Sequence, residues 1–134
     1  MTLKIQAERL FAIFPVFASL CQRPMDNAMS VKVSMIMRKI RPIYQEIENG
    51  RNIIINKYLS RTDEGLAVLP AQEALCKGEL SSFWEKLGEL EIEIVPLKEA
   101  DLGNLGCATS PNEIEVLAEL AVDEIKNSHS SEQR

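Results

Sequence analysis

Carboxylates are the most numerous side chains in this sequence that could do chemistry, and the clearest row of them lies on a predicted strand. The segment ELEIEI (89–94) alternates acidic and apolar residues, which predicts a strand with Glu91 and Glu93 on the same face. Two such carboxylates could work as a catalytic pair or bind a cation. We expect instead a solvated face on which Lys4, from a partner strand, supplies the opposing charge.

Other residue types that catalyse reactions or bind metals are scarce. His129 is the single histidine and lies in a polar C-terminal stretch, so a triad of nucleophile, histidine and acid is not expected. The three cysteines, Cys21, Cys76 and Cys107, are far apart and form no CxxC pair, which favours reduced thiols over a zinc site. We therefore expect no catalytic residue, no metal, no cofactor and no enzymatic activity.

A cluster of methionines and basic residues surrounds the start of the longest predicted helix. Its members are Met25, Met29, Met35, Met37, Arg38, Lys39 and Arg41. The methionines show apolar surface on more than one side of the helix, so they belong either to the core or to an interface with a second copy or another protein. For the basic residues the first expectation is salt bridges to acidic residues one or two turns later. Contact with an acidic partner or with nucleic acid is the alternative.

The elements that must position these residues follow from the hydrophobic periodicity, which predicts a mostly helical α+β domain. We expect a strand at 2–7, helices at 7–21, 30–61 and 71–90, a turn at 60–70, a strand at 89–95, a loop at 99–109 and a helix at 110–125. Ser30 is the predicted N-cap of the long helix, and Pro42 is expected to kink or break that helix. Ser110 and Glu113 have the spacing of a capping box.

The acidic strand needs a partner, because a lone strand leaves its backbone donors and acceptors unpaired. The other cleanly alternating segment is Thr2–Ala7, so we expect a small antiparallel sheet that pairs it with Glu89–Val95, with or without a contribution from Leu66–Leu69. This sheet would join the two ends of a single domain spanning residues 1–126. Residues 127–134 are predicted to be a flexible polar tail.

Length and charge narrow the class of protein further. The chain has 134 residues, 46% of them hydrophobic, and a formal net charge of −5. A surplus of acid argues against a general nucleic-acid or anionic-membrane binder, because both need an excess of Lys and Arg. The apolar run Leu10–Cys21 is too short to span a bilayer and lacks a clean cleavage site, so we expect no targeting or membrane segment and a cytoplasmic protein.

Several segments, taken together in this order, resemble a group of short proteins encoded by tailed phages and prophages. The segments are VSMIMRKIRPIYQEIENGRNIIINKYLSRTDEG, FWEKLGELEIEIVPLKEADLGN and SPNEIEVLAEL. The shared features fall at Lys57–Tyr58, Asp63–Gly65, Glu91–Ile94, Lys98–Leu102 and Ser110–Glu113. The similarity covers roughly Val31 to Leu120. It implies a phage or prophage origin, and it brings no assigned activity and no site residues.

The function expected from these observations is a non-enzymatic protein-interaction factor, an accessory or assembly protein of the virion head or tail. It would act in the host cytoplasm or in association with the virion, and it could form a homo-oligomer. The alternative is an inhibitor of a host defence or nucleic-acid-processing machine, which would offer Glu91, Glu93, Glu99 and Asp101 to a basic groove. The candidate interaction surface comprises Met25, Met29, Met35, Met37, Arg38, Arg41, Glu91 and Glu93.

Overall fold

The computed structural model describes residues 2–94, 97–103, 105–107 and 109–120, and it confirms a mostly helical α+β architecture. The elements are β1 (Thr2–Gln6), α1 (Ala7–Cys21), α2 (Asn27–Tyr58), β2 (Leu59–Thr62), β3 (Gly65–Val68), α3 (Pro70–Leu87), β4 (Glu89–Glu93), α4 (Glu99–Gly103) and α5 (Pro111–Glu119). The predicted tail at 127–134, with His129, lies outside the described residues.

The predicted pairing of the two alternating segments is confirmed. β1 and β4 form an antiparallel pair in which Leu3 lies opposite Ile92, and Ile5 lies opposite Leu90. Leu3, Ile5 and Ile92 are buried, whereas the intervening residues are exposed, so one face of the pair closes the core. The alternation in the sequence therefore predicted correctly that β1 pairs with β4 and that the apolar face of the pair packs against the core.

Leu66–Leu69 does not contribute to that sheet. Its first three residues belong to β3, which pairs antiparallel with β2 in a separate hairpin. The hairpin forms locally because only Asp63 and Glu64 separate the two strands, and Gly65 follows this turn with a φ of 115°. A nearby partner closes a much shorter loop than the distant β1 would.

The long helix differs from its prediction at its start, and of the two outcomes expected at its proline the break does not occur. α2 begins at Asn27 with Asp26 as N-cap, so Ser30 lies inside the first turn, where its hydroxyl donates weakly to the Met25 carbonyl at 3.4 Å. The helix also runs unbroken through Pro42. Pro42 is exposed, so water can reach the carbonyl that lacks its usual N–H donor.

The C-terminal part contains one predicted helix and one that was expected to be loop. At α5 the capping box is confirmed, since the Ser110 hydroxyl accepts from the Glu113 N–H at 3.3 Å and Glu113 accepts from the Ser110 N–H at 2.9 Å. The expected loop contains α4, five residues long. Asp101 accepts from the Lys98 N–H at 2.9 Å, which satisfies a free donor at the start of this helix.

The hydrophobic core lies at one end of the molecule. Its members come from β1, α1, the part of α2 between Met29 and Ile47, β4, α5 and the residues Ile94, Leu97, Leu105 and Leu120. Beyond Ile47, the end of α2, the hairpin and α3 contain only one residue that is buried, Cys76. α3 packs closely on α2, since a Cβ added at Gly50 would lie 2.8 Å from the Phe83 ring. The molecule thus has a core end and a thinner distal end, which we define as residues 53–82.

Candidate functional site

A cavity of about 280 Å³ lies between the end of α1 and the first half of α2. Its lining is Cys21, Met25, Ser30, Val33, Ser34, Met37, Arg38 and Arg41. We call it the α1–α2 cavity. Four of the eight residues predicted as an interaction surface line this cavity: Met25, Met37, Arg38 and Arg41.

Helical spacing on α2 builds most of the cavity wall. Ser30, Ser34, Arg38 and Arg41 are three or four residues apart, so they follow one side of the helix, and all four are exposed. Val33 and Met37, which lie between them, are buried with relative exposures of 2% and 6%. The cavity therefore has a polar and cationic rim, while its floor is apolar.

The loop between α1 and α2 closes the cavity on its remaining side. Met25 in this loop is half-buried and packs against the core. The loop is fixed from the other end of the chain, because the Asp26 N–H donates to the Leu105 carbonyl at 3.0 Å. Arg23 pairs with the buried carboxylate of Glu113 at 2.7 Å, which ties the same loop to α5.

The electrostatics of the cavity differ from what the sequence suggested. No carboxylate in the described part of the chain lies within 4.0 Å of the guanidinium of Arg38 or Arg41, so the expected salt bridges to the acidic residues further along α2 are not formed. Burial raises the pKa of the Cys21 thiol to about 11, although the positive charge of Arg41 lowers it in part. The thiol is therefore protonated and neutral at pH 7, beside two cations.

The remaining predicted methionines are divided between core and surface. Met29 is 2% exposed and belongs to the core, as does Met37. Met35 points elsewhere, with 45% of its surface exposed, and Val31 one turn earlier is 59% exposed. The core alternative is thus confirmed for Met29 and Met37, whereas Met35 is exposed, and an interface at Met35 stays a prediction.

Glu91 and Glu93 lie outside the α1–α2 cavity, on the exposed face of β4. The predicted opposing charge is present, since Lys4 lies opposite Glu91 in the register with its Nζ 4.0 Å from the carboxylate. Glu93 accepts a hydrogen bond from the Thr2 hydroxyl, and this bond, with a further contribution from the charge of Lys39, lowers the pKa of Glu93. These contacts describe a partly neutralised surface row.

Asp101, the other described side chain of the expected acidic face, is used inside the fold. Its Oδ2 accepts from Lys32 Nζ at 2.8 Å and from the Lys98 N–H at 2.9 Å. The Lys32 contact is the main reason that the pKa of Asp101 is lowered. This carboxylate links α4 to α2, so it is not free to meet a partner.

The sequence did not indicate the apolar surface at the distal end. Its large exposed residues are Ile53, Leu66, Leu69 and Leu75. Beside them a groove of about 580 Å³ runs between α2 and α3, where the Tyr58 hydroxyl and Lys57 donate to Glu79 at 2.5 and 3.2 Å. The signal available in the sequence was the apolar run LAVLP directly after an acidic turn.

Neither a metal site nor a membrane-spanning helix is found among the described residues. No group of three or more histidine, cysteine or acidic side chains is placed there to hold a metal ion. No helix among the same residues is both long and apolar enough to cross a membrane.

Comparison with known proteins gave no relative. No family model, no curated protein and no solved structure matches this chain.

Proposed function

We propose that this protein is a non-enzymatic protein-interaction factor encoded by a phage or prophage, an accessory or assembly protein of the virion head or tail. The observation that carries the proposal is the apolar surface of the distal end. The side chains of Ile53, Leu66 and Leu75 have relative exposures of 62, 67 and 59%. Side chains of this kind gain roughly 25 cal/mol for each Å² of apolar surface that a partner removes from water.

The local architecture gives the distal end a form suited to binding. A hairpin of four-residue strands is marginal by itself and offers unpaired backbone groups along both edges. Leu66 on β3 and Leu69, which directly follows β3, lie on the β3 side of the hairpin, with 67% and 41% of their surfaces exposed. A protein partner that covers this region would bury the apolar side chains and could also extend the hairpin.

The phage assignment rests on the sequence resemblance over residues 31–120. A virion accessory protein would be made in the host cytoplasm and would meet its partner there or in the assembled particle. A second copy of the chain is one partner that fits an apolar surface of this kind, so a homo-oligomer is part of the proposal.

The alternative function, inhibition of a host machine through an acidic face, draws on one observation. Glu91 and Lys4 are 65% and 62% exposed and their charged atoms are 4.0 Å apart, so this pair is weak and the carboxylate can exchange partners. The internal use of Asp101 reduces the face to fewer carboxylates than expected. Expression in a host with a defined defence system, followed by plaque counts, tests it. Failure to rescue phage growth under every system tried would remove this alternative.

The main proposal is tested by capture of phage structural proteins on the immobilised chain. We expect Leu66→Ser and Leu75→Ser to lose capture while remaining folded, because both side chains are largely exposed. Val31→Ser is the matched control, since Val31 is also 59% exposed but lies near the start of α2. Size-exclusion chromatography with light scattering reports a homo-oligomer on the same variants. A strict monomer that captures no phage structural protein would refute the proposal.

A further inference from the structure

We propose that the α1–α2 cavity is a binding site for a small organic anion, with a carboxylate or phosphate head at Arg38 and Arg41 and a short apolar tail on Val33 and Met37. The site is separate from the distal end. Arg41 and Ile53 are twelve residues apart on one helix, which places their backbones about 18 Å apart. The inference is therefore independent of the function proposed above.

The head group of the ligand follows from the unpaired cations. Arg38 and Arg41 are three residues apart on α2 and both line the cavity, so their guanidinium groups can approach one ligand together. Guanidinium groups bind carboxylate and phosphate in a bidentate manner. Within the described chain neither has an acidic partner, although the protein as a whole carries a net charge of −5. The two arginines therefore give the cavity a local positive charge that can attract an anion, even though the protein as a whole is acidic.

The hydroxyl groups on the rim add neutral hydrogen-bond donors. Ser34 and Ser30 lie one and two turns before Arg38 on the same side of α2. The Ser30 hydroxyl has only a long bond of 3.4 Å to the Met25 carbonyl, so it can turn to a ligand oxygen at small cost. The neutral Cys21 thiol does not repel an anion at pH 7.

The tail of the ligand follows from the floor and the volume. Val33 and Met37 present apolar atoms, and Met25 on the loop has a flexible side chain that adapts to the shape of a guest. A volume of about 280 Å³ equals that of roughly nine water molecules at about 30 Å³ each. It lies just below the range of about 300–1,000 Å³ that is common for small-molecule sites. The guest is therefore a short-chain acid or phosphate ester, or the last residue of a peptide with its free carboxylate.

The experiment measures binding by isothermal titration calorimetry with hexanoate, hexyl phosphate, inorganic phosphate and hexanol. We expect hexanoate or hexyl phosphate to bind, and hexanol, which lacks the charge, to bind at least about tenfold more weakly. The double variant Arg38→Gln/Arg41→Gln is expected to lose about tenfold or more in affinity for the anion. Lys39→Gln is the control, because it removes one positive charge, half of what the double variant removes, from the neighbouring position, which does not line the cavity.

A second readout keeps the test independent of calorimetric heats. Alkylation of Cys21, with the other two cysteines replaced by serine, should slow when the anion fills the cavity.

The anion could be a small molecule or the C-terminus of a protein. To separate these two sources, a short peptide ending in leucine is titrated with a free and with an amidated C-terminus. Binding of the free peptide alone, without hexanoate or hexyl phosphate, would assign the site to a protein terminus. Binding of the free acids or esters alone would assign it to a small molecule.

Three results would overturn the inference. The first is that none of the anions or peptides binds at millimolar concentration or protects Cys21. The second is that the double arginine variant binds as tightly as the wild type while its urea midpoint shows that it is folded. The third is that Lys39→Gln weakens binding as much as the double variant, since the effect would then reflect net charge and not this cavity.

Discussion

Gly106 is the residue at which one added methyl group should disturb both the fold and the α1–α2 cavity. Its φ is 78°, in the left-handed region, and a Cβ built there would lie 2.9 Å from the backbone nitrogen of Asp26. That nitrogen donates to the Leu105 carbonyl at 3.0 Å and belongs to the N-cap residue of α2. Gly106→Ala therefore presses against backbone that is already fixed by a hydrogen bond.

The size of the effect follows from two costs and one gain. A left-handed conformation costs a residue with a Cβ about 1–2 kcal/mol. Crowding against backbone costs about 1–3 kcal/mol, because the nearest atom is the backbone nitrogen of Asp26 and not the movable end of a side chain. Alanine also restricts the unfolded chain, which returns about 0.4–1 kcal/mol. We expect a net loss of about 1–5 kcal/mol, a substantial part of the roughly 5–15 kcal/mol that stabilises a domain.

The measurement is equilibrium unfolding in urea, followed by the fluorescence of Trp84, which packs against the core. Gly103→Ala is the control, since nothing lies within 4 Å of a Cβ there and its φ is not positive. This control should be neutral or slightly stabilising. A loss of less than about 0.5 kcal/mol for Gly106→Ala, or an equal loss for Gly103→Ala, would refute the reasoning.

Three further predictions concern acid stability, thiol reactivity and burial. The Ser110 N–H and Arg23 lower the pKa of Glu113. This carboxylate therefore contributes stability that is complete above its unfolded pKa and is lost as the pH falls through its lower folded pKa. Between pH 7 and pH 3 the urea midpoint of Glu113→Gln should fall less than that of the wild type. Since the pKa of Cys21 is about 11, its alkylation at pH 8 should be slow. Arg41→Gln should raise that pKa and slow the reaction further, which a pH–rate profile measures. An unchanged profile in the variant would contradict this. Leu117→Ala, at a fully buried position, should cost about 2–5 kcal/mol in urea unfolding, and a small loss would argue against its place in the core.

Much of the fold could be predicted from local patterns. The strict alternation in residues 2–6 and 89–93 gave the two strands of the sheet, and the need to pair backbone groups gave their partnership. Ser110 and Glu113 gave the start of α5, because a capping box involves residues only three apart. The strand patterns and the capping box depend on residues that are close together in the chain, so they can be recognised from the sequence.

The errors arose where a distant contact or solvent access decides the outcome. At Pro42 the sequence predicted a kink or a break, and the break does not occur, since the proline lies on the exposed side of α2, which the sequence does not show. Ser30 does not cap the helix, because the Asp26–Leu105 hydrogen bond fixes the chain four residues earlier. α4 was missed because a five-residue helix has too short a pattern to recognise.

The sequence by itself determined β1, α1, α2, α3, β4 and α5, the pairing of β1 with β4, and four of the residues that line the α1–α2 cavity. Only the tertiary structure decided that Met25, Met37, Arg38 and Arg41 share that cavity, while Met29 enters the core and Met35 faces outward. Periodicity fixes which residues share a side of a helix, but the orientation of that side depends on packing. Here α1 and the loop that Leu105 and Glu113 hold in place cover one side of α2. Arg38 and Arg41 lie outside that covered side, and no described carboxylate lies within 4.0 Å of them.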